Sequence, residues 1–89
     1  AGNDVFDASA LTHLPVEFHG EQGDDILRGG SRNDLLDGGD GNDWIEGNGG
    51  DDVLMGDIGN DIVVGGIGAD TIRGGHGRDL LIAGSIVYL

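Results

Sequence analysis

The chain has 89 residues, 20 of them glycine and none cysteine, with 17 acidic against 4 basic side chains and a net charge of −13. That balance excludes a nucleic-acid binder and a binder of anionic membrane surfaces, both of which need basic patches. No apolar run approaches the ~20 residues of a membrane span, and a core this small has no disulfide to support it. The charge favours cations as partners, and the cysteine-free composition fits an extracellular setting.

The chain opens on AGNDVF with neither an initiator Met nor an apolar leader, which reads as a piece of a longer protein. Within it, Asp4 stands two residues ahead of Phe6, a spacing that returns throughout the sequence. ASALTHLPVEFHG (8–20) then interrupts the pattern: from Asp7 to Gly20 there is one half-coil with about three extra residues. Phe6 and Phe18 fall where aliphatic side chains point inward elsewhere. Their size suits a cap closing the end of a stacked architecture, and Pro15 suits a loop or an edge. Residues 1–19 are therefore expected to form a partial repeat and a capping segment.

From Gly20 the sequence repeats every nine residues. Glycine opens each unit, at Gly20, Gly29, Gly38, Gly47, Gly56, Gly65 and Gly74. The sixth position is always aspartate (Asp25, Asp34, Asp43, Asp52, Asp61, Asp70, Asp79), and the eighth is always aliphatic (Leu27, Leu36, Ile45, Leu54, Val63, Ile72, Leu81). The fourth is glycine in every unit but one, where Arg32 stands. Such glycine density rules out helix, and fixed glycines mark positive φ or close backbone approach. The last three residues of each unit read as a short strand with one side chain inward and its neighbours outward. A strand so short is stable only when stacked on copies of itself. Nine residues make a half-coil and 18 a full coil, so odd and even units stack separately. The predicted fold is all-β: a parallel β-roll, a solenoid of two short-stranded parallel sheets, spanning 20–82.

This stacking builds two aspartate ladders, Asp25–Asp43–Asp61–Asp79 and Asp34–Asp52–Asp70. Rungs lie about one strand spacing apart, ~4.8 Å, where two carboxylates repel by roughly 3 kcal/mol at an effective dielectric near 20. A hard divalent cation between turns removes that repulsion. Calcium accepts 6–8 oxygens in tolerant geometry, backbone carbonyls included. Asp4 precedes Asp25 by 21 residues rather than 18, which leaves its place in the first ladder open.

GGDGNDWIE (38–46), GGIGADTIR (65–73) and GGHGRDLLI (74–82) resemble the GGxGxDxUx nonapeptide of the RTX family, and the resemblance covers residues 20–82. It implies a β-roll with calcium between turns, from a larger secreted bacterial protein of the kind that uses type I secretion. Carried over residue by residue, it implies about five calcium ions. Along the first ladder, Glu21, Gly23 and Asp25 would meet Gly38, Asp40 and Asp43; Gly39, Gly41 and Asp43 would meet Gly56, Ile58 and Asp61; Asp57, Gly59 and Asp61 would meet Gly74, His76 and Asp79. Along the second, Gly30, Arg32 and Asp34 would meet Gly47, Gly49 and Asp52, and Asn48, Gly50 and Asp52 would meet Gly65, Ile67 and Asp70. The residues other than the ladder aspartates act through backbone carbonyls. Arg32 departs from the pattern and is expected to strain its turn or to bring a guanidinium near the ion, making that site the weakest of the five. Asn48 and Asp57 suit left-handed geometry better than Glu21 does. Beyond Asp70 the facing turn offers Ala83 and Ser85 but Tyr88 where an aspartate would be needed, so that site is expected to be empty or weak.

The tail SIVYL (85–89) reads as a strand or cap cut off by the chain end, ahead of a hydrophobic export tail; 83–89 is set apart on that ground. His13, His19 and His76 share no metal-ligand spacing and read as surface and turn residues. Paired-carboxylate hydrolysis gains nothing from aspartates already placed in ladders. No nucleophile setting or phosphate loop is present, so no enzyme is expected. With only Thr12 and Thr71, there is no threonine row of the kind that binds ice. Outward on one sheet stand Ile26, Trp44, Ile62 and Leu80, flanked by Val64 and Ile82, a patch expected to dock on a neighbouring domain or a second copy. The reading is a calcium-binding module that is disordered without calcium and folds outside the cell, stabilising its parent or helping its export. The alternative is an adhesion or carbohydrate-binding module. Only Arg28, Arg32, Arg73 and Arg78 are available to hold polyanionic sugar.

Overall fold

The structure, a computed structural model, describes residues 2–8 and 14–84. The expectations placed on Thr12, His13 and residues 85–89 lie outside the described residues. Nine strands of three residues each follow in chain order: β1 (Val5–Asp7), β2 (Glu17–His19), β3 (Ile26–Arg28), β4 (Leu35–Asp37), β5 (Trp44–Glu46), β6 (Val53–Met55), β7 (Ile62–Val64), β8 (Thr71–Arg73) and β9 (Leu80–Ile82). From β3 to β9 each strand occupies the last three positions of its unit, and β2 to β8 each stop at the next glycine. Among the described residues no helix is long and apolar enough to cross a membrane.

The strands alternate between two all-parallel sheets, β1-β3-β5-β7-β9 and β2-β4-β6-β8. Partners from β2 onward are 18 residues apart, as in Ile26↔Trp44 and Leu36↔Leu54. The period-nine reading of a roll with two sheets is therefore what the chain forms. At the start of the chain the register absorbs the insertion, and Val5 pairs Ile26, 21 residues on. The extra residues are taken up between β1 and β2, and both strands join the sheets in register.

The core is a single file of eighth-position side chains. Leu27, Leu36, Ile45, Leu54 and Val63 are fully buried, with Phe6, Val16, Phe18 and Ile72 packed against them. Burying each such aliphatic contributes roughly 1.5–3 kcal/mol. Phe6 and Phe18 stack with ring centroids 4.3 Å apart and pack against the N-terminal end of the core. At the other end Leu81 is 46% exposed and Ile72 half-buried, because no later coil covers them among the described residues. One expectation fails locally. Val64, predicted to flank an exposed patch, is buried at 6%, sitting between the longer Glu46 and Ile82 in register on the same sheet.

Candidate metal centre

Each ladder is held by one repeated hydrogen bond. The backbone N–H of one aspartate donates to Oδ1 of the aspartate a coil later: Asp25 to Asp43 at 2.8 Å, Asp43 to Asp61 and Asp61 to Asp79 at 2.9 Å. The second ladder does the same from Asp34 to Asp52 and from Asp52 to Asp70. This consumes Oδ1 and aims Oδ2 inward, over the unit's first glycine. A Cβ built on Gly38 would collide with Oδ2 of Asp43, and one on Gly56 with Oδ2 of Asp61. The invariant first glycine thus makes room for the carboxylate. Oδ2 of Asp25, Asp43, Asp52, Asp61 and Asp70 is buried without a hydrogen-bond partner. Buried polar atoms are almost always partnered, so five repeated exceptions fit oxygens kept for a cation.

The turns supply oxygens on both sides of that space. In six of the seven turns positions two and four have positive φ, including the non-glycine Glu21, Asn48 and Asp57. Glu21 takes this geometry too, at φ 70°. It directs the carbonyls of positions two and four toward the next turn. A Cβ on Gly39 would collide with the Glu21 oxygen, and one on Gly41 with the Gly23 oxygen. Position-three carbonyls point back: those of Asp40, Ile58 and His76 accept from the N–H groups of Gly23, Gly41 and Gly59. The first-position carbonyls of Gly38, Gly47 and Gly65 lie 2.7–2.8 Å from the Cβ positions of Gly20, Gly29 and Gly47 and so face back as well. The backbone of Asp40, Ile58, His76 and Ile67 takes part in these inter-turn bonds, while their side chains are exposed.

Electrostatics agrees with the geometry. Desolvation pushes the Asp43 and Asp52 carboxyls up to about 7, and it raises Asp61 as well. Asp57 is raised to about 6, first by a side-chain hydrogen bond with Asp37 and then by burial. Charge here is costly unless a cation compensates it. Among the described residues no three His, Cys, Asp or Glu side chains converge on one point, which excludes a thiolate or imidazole cage and leaves carboxylates with main-chain oxygens. That all-oxygen donor set fits calcium rather than a softer transition metal.

One turn differs. Neither Gly30 nor Arg32 takes positive φ, and Oδ2 of Asp34 accepts the N–H of Gly30 at 2.9 Å. The strain expected at Arg32 is absent because the turn relaxes into another conformation, and the carboxylate turns to a backbone donor instead. Of the other predicted residues of that pair, Gly47 and Asp52 keep the common arrangement, with the Gly47 carbonyl facing Gly29 and the N–H of Asp34 on Oδ1 of Asp52, while Gly49 lies beside Ser31 of the arginine turn.

Sequence reasoning missed a second ladder, at position five. Oδ1 of Asp24 accepts the N–H of Asn42, Oδ1 of Asn42 that of Asn60, and Oδ1 of Asn60 that of Arg78. Asn33 and Asp51 serve the other side in the same way. Donation here runs toward the N-terminus, opposite to that in the aspartate ladders. The signal was present: Asn or Asp fills position five in five of the seven units. His19 lies between Glu17 and Asp37, at 3.0 and 3.3 Å, and both raise its pKa, Glu17 the more; it is a surface residue, as expected.

Fold and site together define a class: a parallel β-roll whose turns set buried carboxylates beside main-chain oxygens, a donor set that fits a hard cation. The family model for the RTX calcium-binding nonapeptide repeat matches residues 19–54 and 55–85, well over half the chain. The chain belongs to the RTX family, whose repeats bind calcium. No curated protein and no solved structure matches it.

Proposed function

We propose that this chain is the calcium-dependent folding module of a larger secreted bacterial protein, ordered outside the cell by calcium and unfolded where calcium is scarce. The observation that carries the reading is the set of five buried, unpartnered aspartate oxygens. Without a cation each is a desolvated acceptor, and a core one residue wide has little to set against them. With calcium, the carboxylates and carbonyls of consecutive turns become its ligands, and binding energy becomes folding energy. Extracellular calcium modules work at dissociation constants near 10⁻⁴–10⁻³ M, a range suited to such a switch. The proposed ligand pairs are the five that the family resemblance implies, with the Gly30–Arg32–Asp34 pair the weakest. The repeats themselves carry no catalytic role in this reading.

The outward row of β1, β3, β5, β7 and β9, formed by Val5, Ile26, Trp44, Ile62 and Leu80, serves to dock a neighbouring domain of the parent or a second copy. Sedimentation of the calcium-loaded chain and of Trp44→Lys checks this, and a parent chain that stays monomeric at high concentration removes the second copy.

Circular dichroism in chelator and in millimolar calcium tests the main reading. The expected result is a largely disordered chain that gains β-structure with calcium and little with magnesium. A β-roll that persists in chelator, after denaturation and refolding in metal-free buffer, overturns it.

A further inference from the structure

We propose that the chain holds a further calcium site outside its regular array, between the turn at Gly2–Asp4 and the turn at Gly20–Asp25. The proposal rests on the calcium reading above and extends it to residues 2–8, which the family match does not reach. Nine-residue spacing gives no reason to expect the site, since Asp4 lies 21 residues before Asp25.

The structure nevertheless joins these two turns as it joins neighbouring turns within the array. The N–H of Asp4 donates to Oδ1 of Asp25 at 2.8 Å, as that of Asp25 does to Asp43. Oδ1 of Asn3 accepts the N–H of Asp24 at 2.8 Å, as Oδ1 of Asp24 accepts that of Asn42. Gly2 has φ of 86° and so takes the left-handed geometry of a fourth position. Its carbonyl faces the next turn, since a Cβ on Gly23 would collide with the Gly2 oxygen just as one on Gly41 would collide with that of Gly23. Asp25 is 1% exposed, with Oδ2 buried and unpartnered. The donors on hand are the Gly2 carbonyl and the carboxylates of Asp4 and Asp25. In the next turn Gly38 and Asp40 direct their carbonyls backward, and the proposal gives Gly20 and Gln22, at the same positions, the same part.

The second ladder ends differently. There the residue in the place of Asp4 is Val16, whose N–H donates to Oδ1 of Asp34 at 2.9 Å. That end has no second carboxylate, and Oδ2 of Asp34 is satisfied by Gly30. An ion at Asp4 fastens β1 to β3 across the insertion and so holds Phe6 over Phe18.

The test uses the full chain, with calcium as the probe, followed by native mass spectrometry and by amide NMR. Asp4→Asn is expected to bind one ion fewer than the parent. In the parent, the amides of Asp4, Gly20 and Gln22 should shift with calcium, and in Asp4→Asn they should lose that response while those of Asp61 keep it. An unchanged ion count in a folded Asp4→Asn overturns the proposal. If that variant does not fold, the parent decides: Asp4 and Gly20 amides that ignore calcium while Asp61 responds overturn it equally. A parent that binds no calcium at all sinks the general reading instead, which separates the two failures.

Discussion

The turns at 29–34 and 38–43 begin with the same Gly-Gly, end with the same Asn-Asp, and differ only at their third and fourth positions. At 38–43, Gly39 and Gly41 take φ of 80° and 117°, and Oδ2 of Asp43 is left with no donor. At 29–34, Arg32 cannot adopt the glycine geometry without cost. The turn changes shape, and the N–H of Gly30 satisfies Asp34. A carboxylate in the right register is therefore not enough to make a site. The fourth residue decides whether the turn keeps its N–H groups away from the carboxylate, and so whether that oxygen is kept for an ion.

Moving the arginine across is the most damaging way to test this. Gly41→Arg puts a Cβ against the Gly23 carbonyl oxygen at a φ open essentially to glycine alone. Such backbone strain costs about 1–3 kcal/mol, before the loss of the turn's oxygens to two neighbouring sites. The calcium midpoint, followed by circular dichroism, is expected to rise by about tenfold or more. A midpoint within about twofold of the parent's would show that the fourth position does not control the turn.

Next in size is the contrast between the aspartates. Asp43 has a competent turn on either side, whereas Asp34 has one that has already satisfied its carboxylate. Asp43→Ala is expected to raise the calcium midpoint by several times more than Asp34→Ala. Equal shifts in calcium titrations of the two variants would contradict the distinction drawn between the turns.

Much of this was legible in the sequence, and what was not has identifiable causes. Strand positions and the inward file from Leu27 to Val63 follow from a period whose glycines and aliphatics never slip. The pairing of Val5 with Ile26 could not be counted out, because an insertion between strands changes the count without changing the stacking. Arg32 could be singled out, but strain and relaxation look alike in a sequence. The outcome turned on whether Asp34 had a nearby N–H to accept. The position-five ladder was hidden because Asn and Asp are ordinary turn residues, and only their alignment across coils makes them a row of acceptors. The Asp37–Asp57 pair joins position nine of one unit to position two of a later one, a proximity that no single-unit motif contains.

A smaller effect comes from pH. Asp43 and Asp52, raised to about 7 by desolvation, have folded-state values above the ordinary carboxylate range of an unfolded chain. Their contribution to the calcium-free roll is therefore complete below about 4 and lost as pH rises toward 7. In chelator, the chain should show more β-structure at pH 5 than at pH 8, and calcium should bind more weakly at pH 5 because protons compete. Circular dichroism that is flat across this range in chelator would mean that the buried carboxylates are not what holds the calcium-free chain open. Arg32→Gly works in the opposite sense to Gly41→Arg. Restoring left-handed freedom should release Oδ2 of Asp34 and lower the calcium midpoint by a few-fold. It should also raise the calcium count by native mass spectrometry if the arginine is what weakens the pair.

The smallest effect is expected at Gly49, and it is informative because of where it lies. Gly49 and Gly50 are consecutive residues of the turn stacked on the arginine turn. A Cβ on Gly50, at φ 89°, would lie 2.4 Å from the Arg32 oxygen, whereas one on Gly49 would have Ser31 Cα as its nearest neighbour, at 3.5 Å. The latter distance is ordinary van der Waals contact, and Gly49 is not among the positive-φ residues. Replacing glycine by alanine in a conformation alanine can adopt narrows the unfolded ensemble and stabilises by about 0.4–1 kcal/mol. Gly49→Ala should therefore leave the calcium midpoint unchanged or slightly lower, while Gly50→Ala, one residue away, should raise it severalfold. If Gly49→Ala proved as damaging as Gly50→Ala, the third-position backbone would have to rearrange when calcium binds, and the contrast between the arginine turn and its neighbours could not be read from the calcium-free geometry alone.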